Sequence, residues 1–419
     1  MATTEQPGSP NGPLFPLRTV VVGTFVPTVL FETGVGALLP IIAATATSLG
    51  ASLELAGFVL ALIPVGQLLL DVPAGIVAAR FGDRRAMFWA GLFAAAACVA
   101  AALAPSLLVF ALSILAIGGA SSVYFLARQS YLTEITHPLR RARVLSTSGG
   151  VHRIGLFLGP FLGAGIIGVW GLAAVYWAAG ILALTSVLVI ALAGPDGVTR
   201  ASPARPVGGN VRPVSIVRVF REHRRVLATL GMTVLLVGAV RGARTTVLPL
   251  WAEHIGIDPA VTSVVFGVAA AVDALLFYPA GWVMDRYGRL AVGVPAMIGM
   301  GVGLLILPFM GSLAGITVAA IVLGLGNGMS SGILMTLGAD VAPPEARSQF
   351  LALWRVLSDL GMVSGPLVLS LAAALGSLAA GVWVMAGSSV ASVAAQLRWV
   401  PQHTVHASNR TRRAAGLIE

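Results

Sequence analysis

The sequence predicts an all-α membrane protein whose twelve transmembrane helices form two pseudo-symmetric six-helix bundles. Three observations lead there: an apolar composition, a one-sided placement of arginine, and an internal repeat. Of the 419 residues, 57% are hydrophobic and 10% charged, with 50 glycines and a mean hydropathy of +0.92. Soluble domains carry about 25% charged residues, so a water-soluble chain of this composition would lack the polar surface to cover its core. The abundance of apolar residues, with no strict short period, equally excludes a disordered or fibrous chain.

A helix needs roughly 20 apolar residues to cross about 30 Å of hydrocarbon. The stretches that qualify are 18–43, 52–79, 86–104, 106–130, 143–168, 171–193, 224–250, 259–284, 290–311, 313–338, 346–374 and 377–398. Each is expected to be a helix, because lipid cannot satisfy the backbone of an open strand. The unbroken runs lack the two-residue alternation of a β-barrel. Residues 1–17 are Pro/Gly-rich, without a basic region or a small-residue cleavage site, and read as a disordered tail and not a signal peptide. The remaining boundaries follow: an N-terminal bundle over 18–193, a polar cytoplasmic linker over 194–223, a C-terminal bundle over 224–398 and a basic C-terminal tail over 399–419. The single Cys98 excludes a disulfide framework and a cysteine-based metal site. No metal or cofactor is expected.

All 26 basic residues are arginine. With the N-terminus in the cytoplasm, every one falls on the cytoplasmic side except Arg153, Arg241, Arg244 and Arg355, which lie within spans. This is the positive-inside pattern. It assigns the sequence pI of about 11.2 to topology and to anionic lipid headgroups, not to nucleic acid. Both termini are therefore placed in the cytoplasm and the chain in the inner membrane, as a monomer.

The segment 72–84, VPAGIVAARFGDR, aligns with 278–290, YPAGWVMDRYGRL. Pro73, Gly75, Arg80 and Gly82 match Pro279, Gly281, Arg286 and Gly288, an offset of 206. The same offset pairs Glu134 and Arg141 with Asp340 and Arg347, and Gly155, Gly159 and Pro160 with Gly361, Gly365 and Pro366. In the first span, Leu39-Pro40 aligns instead with Leu248-Pro249, at 209. The chain thus reads as two copies of a six-helix unit.

On these residues the sequence resembles the major facilitator superfamily across all twelve spans. Gly281, Asp285, Arg286, Gly288 and Arg289 carry the family's loop signature G-x-x-x-D-R-x-G-R; the first half keeps Gly75, Arg80 and Gly82, with Ala79 in place of the acid and Asp83 in place of a basic residue. Gly155, Gly159, Pro160 and Gly163 resemble the antiporter signature of the drug:proton antiporter branch. The fourth span departs from that branch, with Ile114 where it usually has an arginine four residues before a glycine. The resemblance implies two bundles that rock about a midplane site, with the signature loops as a cytoplasmic gate. It also implies Gly155, Gly159, Pro160, Gly163, Gly365 and Pro366 as an interface hinge. Close packing of small residues alone is the alternative for the hinge, and ordinary topology the alternative for the loops. Glu134/Arg141 and Asp340/Arg347 are expected to form a second, structural bracket.

Charges inside spans cost a few kcal/mol unless paired or hydrated, so they are the first candidates for function. Glu32 aligns with Arg241 at the 209 offset, Arg153 with Asp359, and Gln67 with Asp273. Arg355 and Asp359, at i and i+4, can pair locally or hold the halves together as a static ion pair. Glu32, Asp273, Asp359, Arg153, Arg241 and Arg355 are accordingly the candidates for proton and substrate coupling, with Glu32 first and the arginines tuning the carboxylates. His152 reads as a hydrogen-bonded packing residue, Asp71 as an accessory of the gate, and Phe25, Phe31, Tyr124, Phe125 and Trp251 as packing or interface anchors. The G-x-S-x-G match at Gly328–Gly332 needs a strand–turn–helix and falls in an apolar helix. A chain without lysine has no P-loop of its own.

The function expected is secondary-active, proton-coupled export of a lipophilic or amphipathic small molecule, with the proton gradient as energy source. Its partners are the substrate, protons and the bilayer, and no catalytic residues are foreseen. The alternatives are a transporter of a specific metabolite such as a sugar, and a non-transporting scaffold or sensor.

Overall fold

The computed structural model describes residues 21–136, 141–193, 216–330 and 332–416; the tail 1–17 and the linker up to residue 215 lie outside them. A π-helical turn (Val21–Phe25) leads into α1 (Val26–Leu38), which ends at Leu39-Pro40 before α2 (Ile42–Ser48). There follow α3 (Leu53–Phe81), α4 (Asp83–Ala102), α5 (Leu107–Ile135), α6 (Arg141–Trp170) and α7 (Leu172–Leu192). The short α8 (Ile216–Glu222) precedes α9 (Arg224–His254), α10 (Pro259–Tyr287), α11 (Leu290–Ile306), α12 (Leu313–Ser330), α13 (Ile333–Val341), α14 (Arg347–Ala374), α15 (Leu378–His403) and α16 (Asn409–Ala414). Among the described residues there is no strand, and 12 helical stretches are long and apolar enough to cross a membrane.

The repeat governs where helices begin. The starts of α3 and α10, α5 and α12, α6 and α14, and α7 and α15 are each 206 residues apart. Gly82 and Gly288 share a left-handed backbone, with φ of +86° and +99°, which glycine alone adopts without a steric penalty. Two compact units divide the chain. The first takes its described residues from Met1–Gly50, Leu62–Arg205 and Pro259–Gly267, the second from Ala51–Ala61, Pro206–Asp258 and Val268–Glu419.

In the first unit, small residues let the helices close on one another, since van der Waals packing and not hydrophobic exclusion drives association in lipid. Phe31 of α1 and Tyr124 of α5 stack with ring centroids 4.2 Å apart, within a cluster rich in alanines of α4, α5 and α7. A Cβ added at Gly159 would fall on the Thr33 carbonyl oxygen, and one at Gly155 would lie 3.0 Å from the Thr33 nitrogen, so α6 lies backbone-to-backbone on α1. In the second unit a Cβ added at Gly365 would fall on the Ala239 carbonyl oxygen and one at Gly361 would lie 3.0 Å from the Ala239 nitrogen, placing α14 on α9 in the same way.

These contacts correct the alignment of the first span. Thr33 and Ala239 are 206 residues apart, so the first span obeys the same offset as the rest. The repeat equivalent of Glu32 is therefore Gly238, not Arg241. The shared Leu-Pro pair misleads because α1 stops at Leu38 whereas α9 runs on through Pro249 to His254. A second correction concerns the fourth span, which continues past residue 130 to Ile135; Arg128, counted with the cytoplasmic-side arginines, lies on a buried helix face.

The turn between α10 and α11 is held by its own half. Arg289 forms a two-pronged pair with Asp340, Nε–Oδ2 3.0 Å and Nη2–Oδ1 3.1 Å, and Thr404 donates to the same carboxylate at 3.3 Å. Asp340 thus pairs with Arg289 where the sequence suggested Arg347; of the equivalent first-half pair, the side chain of Arg141 lies outside what is described. Asp285 approaches Arg289 at 3.6 Å, with its side chain 81% exposed. Arg286 lies over the rings of Trp282 and Tyr287. The segment after α15, within the predicted basic tail, docks on this turn. The Arg289 and Leu290 N–H groups donate to the His406 and Ala407 carbonyls at 3.0 and 2.9 Å, and Arg412 donates to the carbonyls of Asp285 and Arg286. A Cβ at Gly288 would come within 2.7 Å of Ala407 and Ser408, so this signature glycine is required by both its φ and the docked segment. In the first half, Arg80 lies over Phe81 and Arg84 donates to the Ile190 carbonyl. Gly75 and Gly281 face open space.

Two outcomes are expected from thermal unfolding in detergent. Gly159→Ala and Gly365→Ala each lower stability by about 1–3 kcal/mol through overpacking, whereas Gly165→Ala, which meets nothing within 4 Å, is neutral or stabilising. Equal midpoints for all three would refute the close approach. Asp340→Asn costs about 3–5 kcal/mol by leaving Arg289 half-paired, and Asp285→Asn, on an exposed pair, less than about 1 kcal/mol; the reverse order would overturn this account of the turn.

Candidate functional site

Glu32 sits on α1 at 5% exposure, a position a carboxylate holds within hydrocarbon only with partners. His152 of α6 supplies one, Nδ1–Oε1 2.8 Å, and Arg128 of α5 the other, Nη1–Oε1 3.8 Å. The Arg128 guanidinium lies over the Phe125 ring at 4.9 Å, and the His152 ring meets the same phenyl edge-on at 6.2 Å. Tyr124, stacked on Phe31, closes the neighbouring face and shares a hydrogen bond with Ser186 at 3.0 Å. The geometry depends on Gly155, whose missing side chain leaves room for the Glu32 Cβ. One helical turn earlier on the same face stands His152, so the glycine that brings α6 onto α1 also delivers the imidazole to the carboxylate. His152 is 31% exposed in its side chain against 7% for Glu32. The imidazole is thus the more exposed member of the pair.

In the second half, Asp273 of α10 accepts a hydrogen bond from the Asn327 amide of α12 and faces Arg244 of α9, Nη1–Oδ2 3.6 Å. The Asn327 Oδ1 accepts from Arg241 Nε at 3.1 Å. Asp273, Asn327 and Arg244 are buried, and Arg241 is partly exposed. A glycine again sets the approach: a Cβ at Gly328 would lie 2.6 Å from the Asp273 carbonyl oxygen. The G-x-S-x-G match therefore begins in a helix whose glycine packs against α10.

Arg355 and Asp359 pair along α14, Nε–Oδ2 3.4 Å, with both side chains partly exposed. Arg153 is half-buried on α6, one residue beyond His152. Asp71, ten residues before the end of α3, accepts a hydrogen bond from Ser122. Gly155, Gly159, Pro160 and Gly163 lie within α6, and Gly365 and Pro366 within α14. Among the described residues no group of three or more His, Cys, Asp and Glu side chains could hold a metal ion.

The structure thus brings Glu32 together with Arg128 and His152, and Asp273 with Arg241, Arg244 and Asn327. The sequence reading takes His152 as a packing residue, counts Arg128 among the cytoplasmic-side arginines and does not single out Asn327. The signals were present: an amide in an otherwise apolar span at Asn327, and a histidine one turn before the first glycine of the fifth-span motif.

A family model described as Major Facilitator Superfamily matches residues 24–366, and again residues 230–418. Solved structures of similar fold include a POT family transporter in complex with a thioalcohol-conjugated peptide, 10% identical over 92% of this chain and 96% of that one, with a TM-score of 0.77. The nucleoside transporter NupG is 14% identical over 90% and 97%, TM-score 0.68. The human organic anion transporter MFSD10 (TETRAN) is 18% identical over 91% and 99%, TM-score 0.63. At these identities the likeness is one of fold. Comparison with curated protein sequences finds no match. With the family model spanning most of the chain and twelve candidate spans in an all-helical fold, the chain is a multi-pass membrane protein and belongs to the major facilitator superfamily.

Proposed function

We propose that this protein is a secondary-active, proton-coupled exporter of the drug:proton antiporter type, moving a lipophilic or amphipathic small molecule across the inner membrane by alternating access. It would act as a monomer with both termini in the cytoplasm and draw on the proton gradient, with no cofactor. The observation that supports this reading is the buried carboxylate Glu32 paired with the partly exposed His152.

The groups facing Glu32 are His152 from α6 and Arg128 and Tyr124 from α5. Arginine keeps its charge at all relevant pH values, so the charge of the site is set by Glu32 and His152. A proton taken up at His152 and passed to Glu32 removes the counter-charge of Arg128. An uncompensated cation buried in hydrocarbon costs several kcal/mol, which disfavours the conformation that buries it. Deprotonation restores the pair. Protonation is thereby tied to conformation without covalent chemistry, as alternating access requires.

A second reading is transport of a specific metabolite. The network of Asp273, Asn327, Arg241 and Arg244 favours it by offering several directional hydrogen-bonding groups.

In proteoliposomes, Glu32→Gln is expected to abolish gradient-driven transport while substrate counterflow, which needs no net proton movement, persists. His152→Gln is expected to shift the pH dependence of transport without abolishing it. Unchanged gradient-driven transport in Glu32→Gln would sink the coupling role, and proton-independent flux in the wild type would favour the second reading.

A further inference from the structure

We infer that Phe125 competes with Glu32 for the Arg128 guanidinium and is thereby a positioning residue that helps set the pH at which Glu32 takes up a proton. The inference deepens the proton-coupling reading above and rests on it.

The guanidinium is shared between two partners and fully engaged by neither. Phe125 and Arg128 stand at i and i+3 on α5, a spacing that puts them on one face of the helix. The guanidinium carbon of Arg128 lies 4.9 Å from the centroid of the Phe125 ring, inside the roughly 6 Å over which a ring face attracts a cation. Its Nη1 stands 3.8 Å from Glu32 Oε1, beyond the length of about 2.7–2.9 Å typical of a charge-assisted hydrogen bond. Nε and Nη1 of Arg128 are buried and form no hydrogen bond among the described residues. The nearer place at Oε1 belongs to His152, whose Nδ1 is 2.8 Å away and whose ring meets the same phenyl edge-on.

Burial makes the sharing consequential. Arg128 is 2% exposed and Glu32 5%, and arginine does not release its proton in a protein. A ring face attracts a cation more strongly where water is excluded than at a wetted surface. While Glu32 is ionised, carboxylate and ring draw on the same guanidinium. Protonation of Glu32 removes the carboxylate's pull and leaves the ring's, so the ring offsets part of the cost of losing the counter-charge. A side chain without a π face at this position would let Arg128 close on Glu32, and a closer cation favours the ionised carboxylate.

The other ionisable groups facing Glu32 are His152 of α6, with Arg153 next to it in sequence, and Tyr124 of α5. The Tyr124 ring stacks on Phe31 and its hydroxyl bonds Ser186 of α7, which leaves Phe125 as the ring under the guanidinium. Tyr176, the ionisable side chain of α7, bonds Thr45 of α2, and Asp71 of α3 meets α5 at Ser122.

The test is an infrared difference titration of the full chain in lipid nanodiscs, following the protonated carboxyl band that is lost in Glu32→Gln. Phe125→Leu is expected to move the midpoint to lower pH by about one unit, a tenfold loss of proton affinity. Mono-, di- and trifluorophenylalanine at position 125 keep the ring's shape while weakening its face step by step, and should move the midpoint the same way in graded steps. In an Arg128→Gln background, Phe125→Leu should leave the midpoint in place. The inference is overturned if no Glu32 band responds to pH, if the fluorinated series leaves the midpoint unmoved or raises it, or if the leucine effect survives in Arg128→Gln. The titration needs neither gradient nor substrate. Graded midpoints in a protein without proton-driven transport would uphold the competition and fail the coupling reading. Coupled transport that is lost in Glu32→Gln, with a flat fluorinated series, would do the reverse.

Discussion

Backbone-to-backbone contact through glycine is the constraint on which the rest of this structure depends. In hydrocarbon, an ionised side chain needs a counter-charge or water within a few ångströms, and helices separated by ordinary side chains hold polar groups too far apart for that. Gly155 and Gly159 remove the separation between α1 and α6, and Glu32 then meets His152. Gly328 does the same for α10 and α12, where Asp273 meets Asn327. The small-residue faces and the buried charges are therefore one feature. The glycine motif, read from the sequence as a hinge or as simple packing, also positions a titratable pair.

The two halves share a scaffold and differ in the chemistry laid on it. Helix starts and left-handed glycines recur at the repeat interval, and so do the contacts Gly159–Thr33 and Gly365–Ala239. The charges do not recur in the same way. Glu32 corresponds to a glycine in the second half, and Asp273 to Gln67 in the first. One half carries a carboxylate with a histidine and an arginine beside it, the other a carboxylate with an asparagine and an arginine. The shared fold thus bears different polar residues in its two halves.

The turn between α10 and α11 shows how a short motif is completed from elsewhere in the chain. Its signature supplies Arg289 and the left-handed Gly288, but the acid that binds Arg289 most closely is Asp340, and the backbone partners are His406 and Ala407. Asp285, which the motif puts at the centre, is mostly solvated. A motif gives spacing along one strand of sequence, while an ion pair is decided by which remote residues the fold brings near.

The sequence by itself determined the fold class, the twelve spans, the repeat and the short list of in-span charges. These follow from the length of hydrocarbon to be crossed and from the cost of charge within it, quantities that are local and additive along the chain. What only the tertiary structure decided was pairing and register. Aligning Leu39-Pro40 with Leu248-Pro249 made Glu32 and Arg241 equivalents, whereas helix packing puts Glu32 opposite Gly238. Arg128 counts with the cytoplasmic-side arginines by its place near the end of the fourth span, yet it is buried in that helix, where Glu32, on a different span, supplies its counter-charge. The reason is physical: the cost of burying a charge depends on what stands within about 4 Å of it, and that distance is set by contacts between helices remote in sequence.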